Sequence, residues 1–152
     1  MLELFILLSH LLTARPSTAV QQEPFEITKR LTWVHTEEDM RRLCNAGAAD
    51  IRGCTQFVGE TLLPELKTDN GRWSMTIKGR VTAIIVVANP EVIDHELKHI
   101  RDIRASIGDF LATAQRAAYP SRESCAAAAE ALVSGFPHKL KMIADASNAK
   151  LR

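Results

Sequence analysis

A strand that runs directly into a helix is encoded by residues 81–99, which read VTAIIVVANPEVIDHELKH. The first eight residues are nearly all apolar and are rich in β-branched side chains, which is typical of a buried central strand. Asn89 and Pro90 stop the strand, and Pro90 suits the first turn of a following helix. From Glu91 onward apolar residues recur every three or four positions, as on one face of a helix. The sequence therefore predicts a strand over 81–88 followed by an amphipathic helix.

The chain on either side of this pair predicts strands before it and helices after it. Strands are predicted at 25–35, 54–58 and 72–77, a short helix at 36–43, turns at 68–71 and 78–79, and an Ala-rich helix at 122–133. We therefore expect an α+β fold, in which an N-terminal, mostly antiparallel β-sheet is followed by the amphipathic helix and a C-terminal helical part.

The composition limits the protein to one ordinary globular domain. Of its 152 residues 46% are apolar and 24% are charged, and the formal net charge is +1. A chain of this length and apolar content can bury a sizeable core, and its balanced charge argues against a disordered tail and a nucleic-acid binder. We expect a single domain over 20–152 whose function depends on a local site.

The N-terminus has the features of a signal peptide. Residues 4–12 read LFILLSHLL, and Ser17 and Ala19 supply the small residues that signal peptidases accept. The run is too short for a stable membrane span, which takes about 20 residues. We expect a signal peptide over 1–19 and a secreted or periplasmic protein, which would be tethered to the membrane if the segment is uncleaved. A buried N-terminal helix is the other interpretation.

The three cysteines are consistent with export. Cys44 and Cys54 flank a Gly- and Ala-rich stretch, whereas Cys125 lies far downstream. A disulfide between Cys44 and Cys54 and three unrelated thiols are both open interpretations. The chain has no Cys-x-x-Cys pair, so neither a thiol redox motif nor a cysteine-based zinc site is indicated.

The helix after the central strand carries the pattern His-Glu-x-x-His at His95, Glu96 and His99. Residues four apart on a helix share a face, with Cβ atoms about 5–6 Å apart, so both imidazoles can bind one tetrahedral metal ion. Glu96 is turned about 100° from His95, too far to be a ligand but close enough to take a proton from a water in the open position. The pattern predicts two metal ligands and a catalytic Glu96. Two surface histidines beside solvated charges are the alternative.

The strand over 81–88 and the helix bearing His95, Glu96 and His99 resemble the zincin metallopeptidases, particularly small secreted bacterial members. The resemblance implies one Zn²⁺ ion held by His95 and His99. It also implies that Glu96 is the general base in the hydrolysis of a peptide or protein substrate.

The third ligand distinguishes subgroups of this family. The residues after His99 lack the Gly and the third His of the metzincins, so the resemblance is to the gluzincins, whose third ligand is a Glu on the next helix. An unbroken first helix would bring His99 opposite about residue 140 and favour His138, whereas a break at Gly108 would bring Glu130 within reach. Both candidates stay open.

Asp102 lies on the same helix face as the two histidines. It is about 10 Å along the helix axis from His95, which is too far for a shared ion. We expect Asp102 to orient His99 from behind its ring or to pair with a nearby Arg. A solvated helix charge is the other interpretation.

A peptidase also needs a donor for the oxyanion and a strand edge for the substrate. Tyr119, His35 and His138 are the candidate donors. The strand that holds an extended substrate would be 72–77 or 81–88. The sequence also allows a function of a different class. In this alternative the protein is an exported, non-catalytic binding or structural module with a structural metal or none.

Overall fold

The structure is a computed structural model that describes residues 25–44 and 52–150. In this part of the chain a three-stranded sheet is followed by two long helices, an α+β arrangement. The elements are β1 (Phe25–Trp33), α1 (Glu37–Cys44), β2 (Gly53–Asp69), β3 (Arg72–Val87), a 3-10 turn (Pro90–Val92), α2 (Ile93–Arg116) and α3 (Arg122–Lys150). The expected signal peptide, 1–19, lies outside the described residues.

The sheet has the strand order β1-β3-β2, so the predicted central strand is indeed central. β2 and β3 form a long antiparallel hairpin, whose turn at Asn70 and Gly71 has positive φ at both residues. β1 instead pairs with β3 in parallel, with Trp33 opposite Val87. The sheet is therefore mixed. Alternation of apolar residues fixes which side chains share a face, but it does not fix the direction of the neighbouring strand.

The predicted turn at residues 78–79 is wrong, because β3 runs through it without interruption. Gly79 lies between Phe25 of β1 and Leu62 of β2 in the register of the sheet. A Cβ atom at this position would come within 2.6 Å of the Leu62 side chain and 2.7 Å of the Phe25 ring. The glycine is needed for room between two core side chains and not for a change of direction.

The main core lies between one face of the sheet and the two long helices. α2 runs through Gly108 without a break and turns a continuous face inward. The buried residues of this face are Glu96, His99, Ile100, Ile103, Ile107 and Leu111. On the opposite face of the sheet, α1 packs Met40 against Val34 and Val86. Of the helices in the described ranges, none has the length and apolar character needed to cross a membrane.

A disulfide between Cys44 and Cys54 ties the end of α1 to the beginning of β2. The side-chain amide of Gln56 reinforces this connection by donating to the carbonyl of Leu43. Cys125 is a buried free thiol in the main core.

Removing the disulfide is expected to destabilise the fold. Replacement of Cys44 and Cys54 by alanine should lower the free energy of unfolding by about 2–3 kcal/mol, because the cross-link restricts the unfolded chain. Urea denaturation of the oxidised wild type and the double variant measures this difference. The reduced wild type is the control and should unfold at the midpoint of the variant. Equal midpoints for oxidised and reduced wild type would contradict the prediction.

Candidate metal centre

His95 and His99 lie on the first two turns of α2, and their side chains face each other. Their Nε2 atoms are 3.0 Å apart, and the rings are nearly perpendicular at 81°. Two imidazole nitrogens on one tetrahedral zinc, each about 2.0–2.1 Å from the ion, are about 3.3–3.4 Å apart. A small separation of the rings would therefore let both nitrogens bind the same ion. In the structure the spacing of 3.0 Å is that of a hydrogen bond between the two rings.

The two histidines differ in their exposure. His99 is only 5% exposed, whereas His95 is exposed to solvent. Burial lowers the pKa of His99, and the neighbouring His95 lowers it further, while the charges of Glu96 and Asp102 act in the opposite direction. The shift favours the neutral imidazole, which is the form that binds metals.

Glu96 lies in the buried face of α2 and is 6% exposed. Its Oε2 accepts a hydrogen bond of 2.7 Å from the hydroxyl of Thr55. Thr55 follows Cys54 in β2, so the disulfide holds the strand that fixes this carboxylate. The sequence analysis missed Thr55, because a threonine in a strand carries no signal of a partner 41 residues away.

Asp102 forms an ion pair with a lysine of α3. Its Oδ1 lies 2.7 Å from Lys150 Nζ. Hydrogen bonds from Lys150 and then Ser147 lower the pKa of the Asp102 carboxyl. Ser147 Oγ in turn lies 3.1 Å from His99 Nδ1. The charged partner of Asp102 is therefore a lysine, where an arginine was one of the expected alternatives.

The residue of α3 that faces His99 is Ser147, not a residue near 140. The connection between the helices is extended at Ala117, and Tyr119 forms two backbone hydrogen bonds with Trp73. α3 therefore begins at the sheet and not directly behind the end of α2. The sequence-based prediction assumed a tight hairpin between α2 and α3, and it therefore could not identify which residue of α3 lies opposite His99.

The structure does not bring Glu130 or His138 to the histidine pair. Since a helix rises about 1.5 Å per residue, His138 is about 13 Å and Glu130 about 25 Å along α3 from Ser147. Both side chains are exposed, and Glu130 borders a shallow pocket beside Pro64. Within residues 25–44 and 52–150, no cluster of three or more His, Cys, Asp or Glu side chains is placed to hold a metal ion.

The other predicted parts of a peptidase site are also separated from the histidines. Tyr119 pairs with Trp73 near the beginning of β3. The histidine-bearing helix α2 follows the other end of this strand, at Val87, and the strand between Trp73 and Val87 is roughly 45 Å long. His35 is exposed beyond the end of β1. Neither of the two expected substrate strands offers an edge near the histidines. Residues 81–88 lie in the centre of the sheet, and residues 72–77 lie at the end of β3 that is far from α2.

No protein-family model matches the sequence, and no curated protein or solved structure is similar to it. The chemistry of the site therefore depends on its own residues and their geometry.

Proposed function

We propose that this protein is an exported, zinc-dependent peptidase of the zincin type. The observation that supports this most strongly is the convergence of the Nε2 atoms of His95 and His99, 3.0 Å apart, beside the buried carboxylate of Glu96. One Zn²⁺ ion bound by the two histidines would polarise the substrate carbonyl and make an attacking water more acidic. The apolar run at residues 4–12 supports export.

The residues of the chain supply the proton transfer. In the proposed reaction Glu96 takes a proton from the attacking water and later gives it to the amine that leaves. The Thr55 hydroxyl, 2.7 Å from Oε2, fixes one oxygen of this carboxylate. This hydrogen bond limits the freedom of the Glu96 carboxylate to rotate.

Catalytic zinc sites have three protein ligands and keep a fourth position for water or substrate. Over the described ranges, no third His, Cys, Asp or Glu side chain joins His95 and His99. The proposed ion would therefore have two protein ligands among the described residues.

A second candidate is an exported, non-catalytic module that holds no metal. The observation that favours it is the hydrogen bond between Thr55 and Glu96 inside the fold. Such a bond satisfies a buried carboxylate even when the carboxylate has no chemical role. In this case the contact between His95 and His99 is an ordinary hydrogen bond.

Zinc content separates the two functions. Wild type purified without added metal is expected to carry about one zinc ion per chain, measured by atomic emission, and to cleave an unfolded protein. His95→Ala should lose both properties, and it should still fold because His95 is exposed. The matched control is His138→Ala, which removes another exposed histidine and should leave both unchanged. Metal-free wild type, or zinc retained at full level by His95→Ala, would refute the proposed peptidase.

A further inference from the structure

We infer that the outer edge of β1 is a dimer interface, at which β1 pairs antiparallel with β1 of a second copy about a two-fold axis at Thr28. The product is a continuous sheet of six strands, three from each copy, with α2 and α3 of both copies on the same face. This inference goes beyond the proposed peptidase and does not depend on it.

β1 lies at the edge of the sheet. Among the residues that the structure describes, its only strand partner is β3, in a register that runs without a shift from Phe25 to Trp33. The N–H of Val34 donates to the carbonyl of Val87 at 3.1 Å, and backbone groups point alternately to the two sides of a strand. The odd-numbered residues of β1 therefore direct their N–H and C=O groups outward. Such a row of groups is a template for a further strand.

Two large apolar side chains are exposed on this strand. Leu31 and Trp33 are each 46% exposed. By alternation they share the face of β1 that carries Phe25 and Ile27 into the main core. The helices therefore leave this end of β1 uncovered. In the pairing about Thr28, Leu31 lies opposite Phe25 of the second copy, and the added strand covers part of its apolar surface.

The charges of β1 select one register for the second copy. In an antiparallel pair about Thr28, Glu26 of each strand lies directly opposite Arg30 of the other. Both side chains are exposed, and neither has an ion-pair partner among the described residues of its own chain. A pair about Ile27 or Lys29 does not join Glu26 to Arg30, and the second places Lys29 against itself. Opposite charges across two strands stabilise their pairing and like charges destabilise it, so the pattern favours Thr28 as the centre.

The backbone pattern agrees with this register. Because the odd-numbered residues carry the outward hydrogen-bonding groups, the even-numbered Glu26, Thr28 and Arg30 form the pairs without hydrogen bonds. In such pairs the Cα atoms are only about 4.5 Å apart and the side chains approach most closely. The contact between Glu26 and Arg30 therefore falls where a cross-strand ion pair has the best geometry.

The other edge of the sheet is not suited to the same pairing. β2 has Gly59, with a φ of 65°, at a register shift between Val58 and Thr61, and Pro64 further along the strand has no N–H to donate. Bulges and prolines interrupt the row of backbone groups that a new strand needs. Pairing of two β1 edges therefore ends at a dimer, with a β2 edge on each side.

Sedimentation velocity over a series of protein concentrations measures the association, and wild type should form a dimer. Glu26→Arg and Arg30→Glu should each weaken the dimer about 10- to 100-fold, because each variant places like charges opposite one another twice across the two-fold axis. Glu65→Arg is the matched control, because Glu65 is exposed on the same face of the other edge strand, β2. It should dimerise as wild type does.

Mixing the two charge variants tests the register. In a mixed pair one chain has arginine at both positions and the other has glutamate at both, so each cross-strand contact again joins opposite charges. The equimolar mixture of Glu26→Arg and Arg30→Glu should therefore regain the dimer, and so should the chain with both substitutions. Both positions are exposed, so the variants should fold.

A wild type that stays monomeric up to about 100 μM, which is about 100 times a micromolar dissociation constant, would overturn the inference. Single charge variants that remain dimeric would place the interface elsewhere on the molecule and would overturn it as well. A mixture of the two variants that stays monomeric would exclude the contact between Glu26 and Arg30, and with it the pairing about Thr28.

Discussion

Glu96→Gln is expected to lower the rate of peptide hydrolysis by about 10²- to 10⁴-fold, because a positioned general base contributes a factor of this size. The glutamine has the same shape, and its carbonyl oxygen can still accept the hydrogen bond from Thr55. The zinc content and the fold should therefore be retained. The measurement is the cleavage rate of an unfolded protein by wild type and variant, each with its zinc content determined.

The control for this substitution is Glu91→Gln. Glu91 is exposed at the beginning of the 3-10 turn that precedes α2, so the change removes the same charge without touching the site. Its cleavage rate should equal that of wild type. A Glu96→Gln protein as active as wild type would show that Glu96 is only a buried partner of Thr55.

Phe136→Ala is expected to lower the free energy of unfolding by about 3–5 kcal/mol, the range for removal of a buried aromatic ring. Phe136 is 1% exposed, and its ring meets that of Phe25 edge to face at 5.6 Å. The substitution therefore leaves a cavity where α3 meets β1. Domains of this size are stable by about 5–15 kcal/mol, so the loss is a large share of the total.

Urea denaturation followed by circular dichroism measures the effect. Met142→Ala is the control on the same helix, since Met142 is 52% exposed and should change the free energy of unfolding by less than about 0.5 kcal/mol. A Phe136→Ala protein with the midpoint of Met142→Ala would contradict the packing described for α3.

Local signals predicted the start of each helix well. Thr36 caps α1, since its Oγ1 accepts from the backbone N–H of Asp39 at 3.1 Å. Ser121 caps α3, since its Oγ accepts from the N–H of Ser124 at 3.1 Å. A cap depends on residues three positions apart, so the sequence contains all the information that it needs.

Ends and lengths were predicted less well, because tertiary packing decides them. β2 continues far beyond the expected end at Val58, since β3 offers it a partner along its whole length. α3 was expected to end at Val133 but continues through Pro137 to Lys150. Phe136, Leu140 and Ile143 are buried in the core beyond the expected end, and this burial outweighs the hydrogen bond that the proline removes.

The same distinction applies to the candidate site. The facing of His95 and His99 follows from their spacing on one helix. Ser147 and Thr55 contact the site from 48 and 41 residues away. Their positions depend on how α3 and β2 pack against α2, which no local pattern specifies.

The burial of Cys125 affects how the native disulfide is selected during folding. Three thiols allow three pairings, and the shortest loop, between Cys44 and Cys54, closes at the lowest entropic cost. Thiol exchange needs access to the attacking sulfur, and Cys125 is completely enclosed once the core has formed. Formation of the core therefore makes the Cys125 thiol inaccessible, and oxidation after this step yields only the disulfide between Cys44 and Cys54. Oxidation of the unfolded chain would also allow pairs that include Cys125.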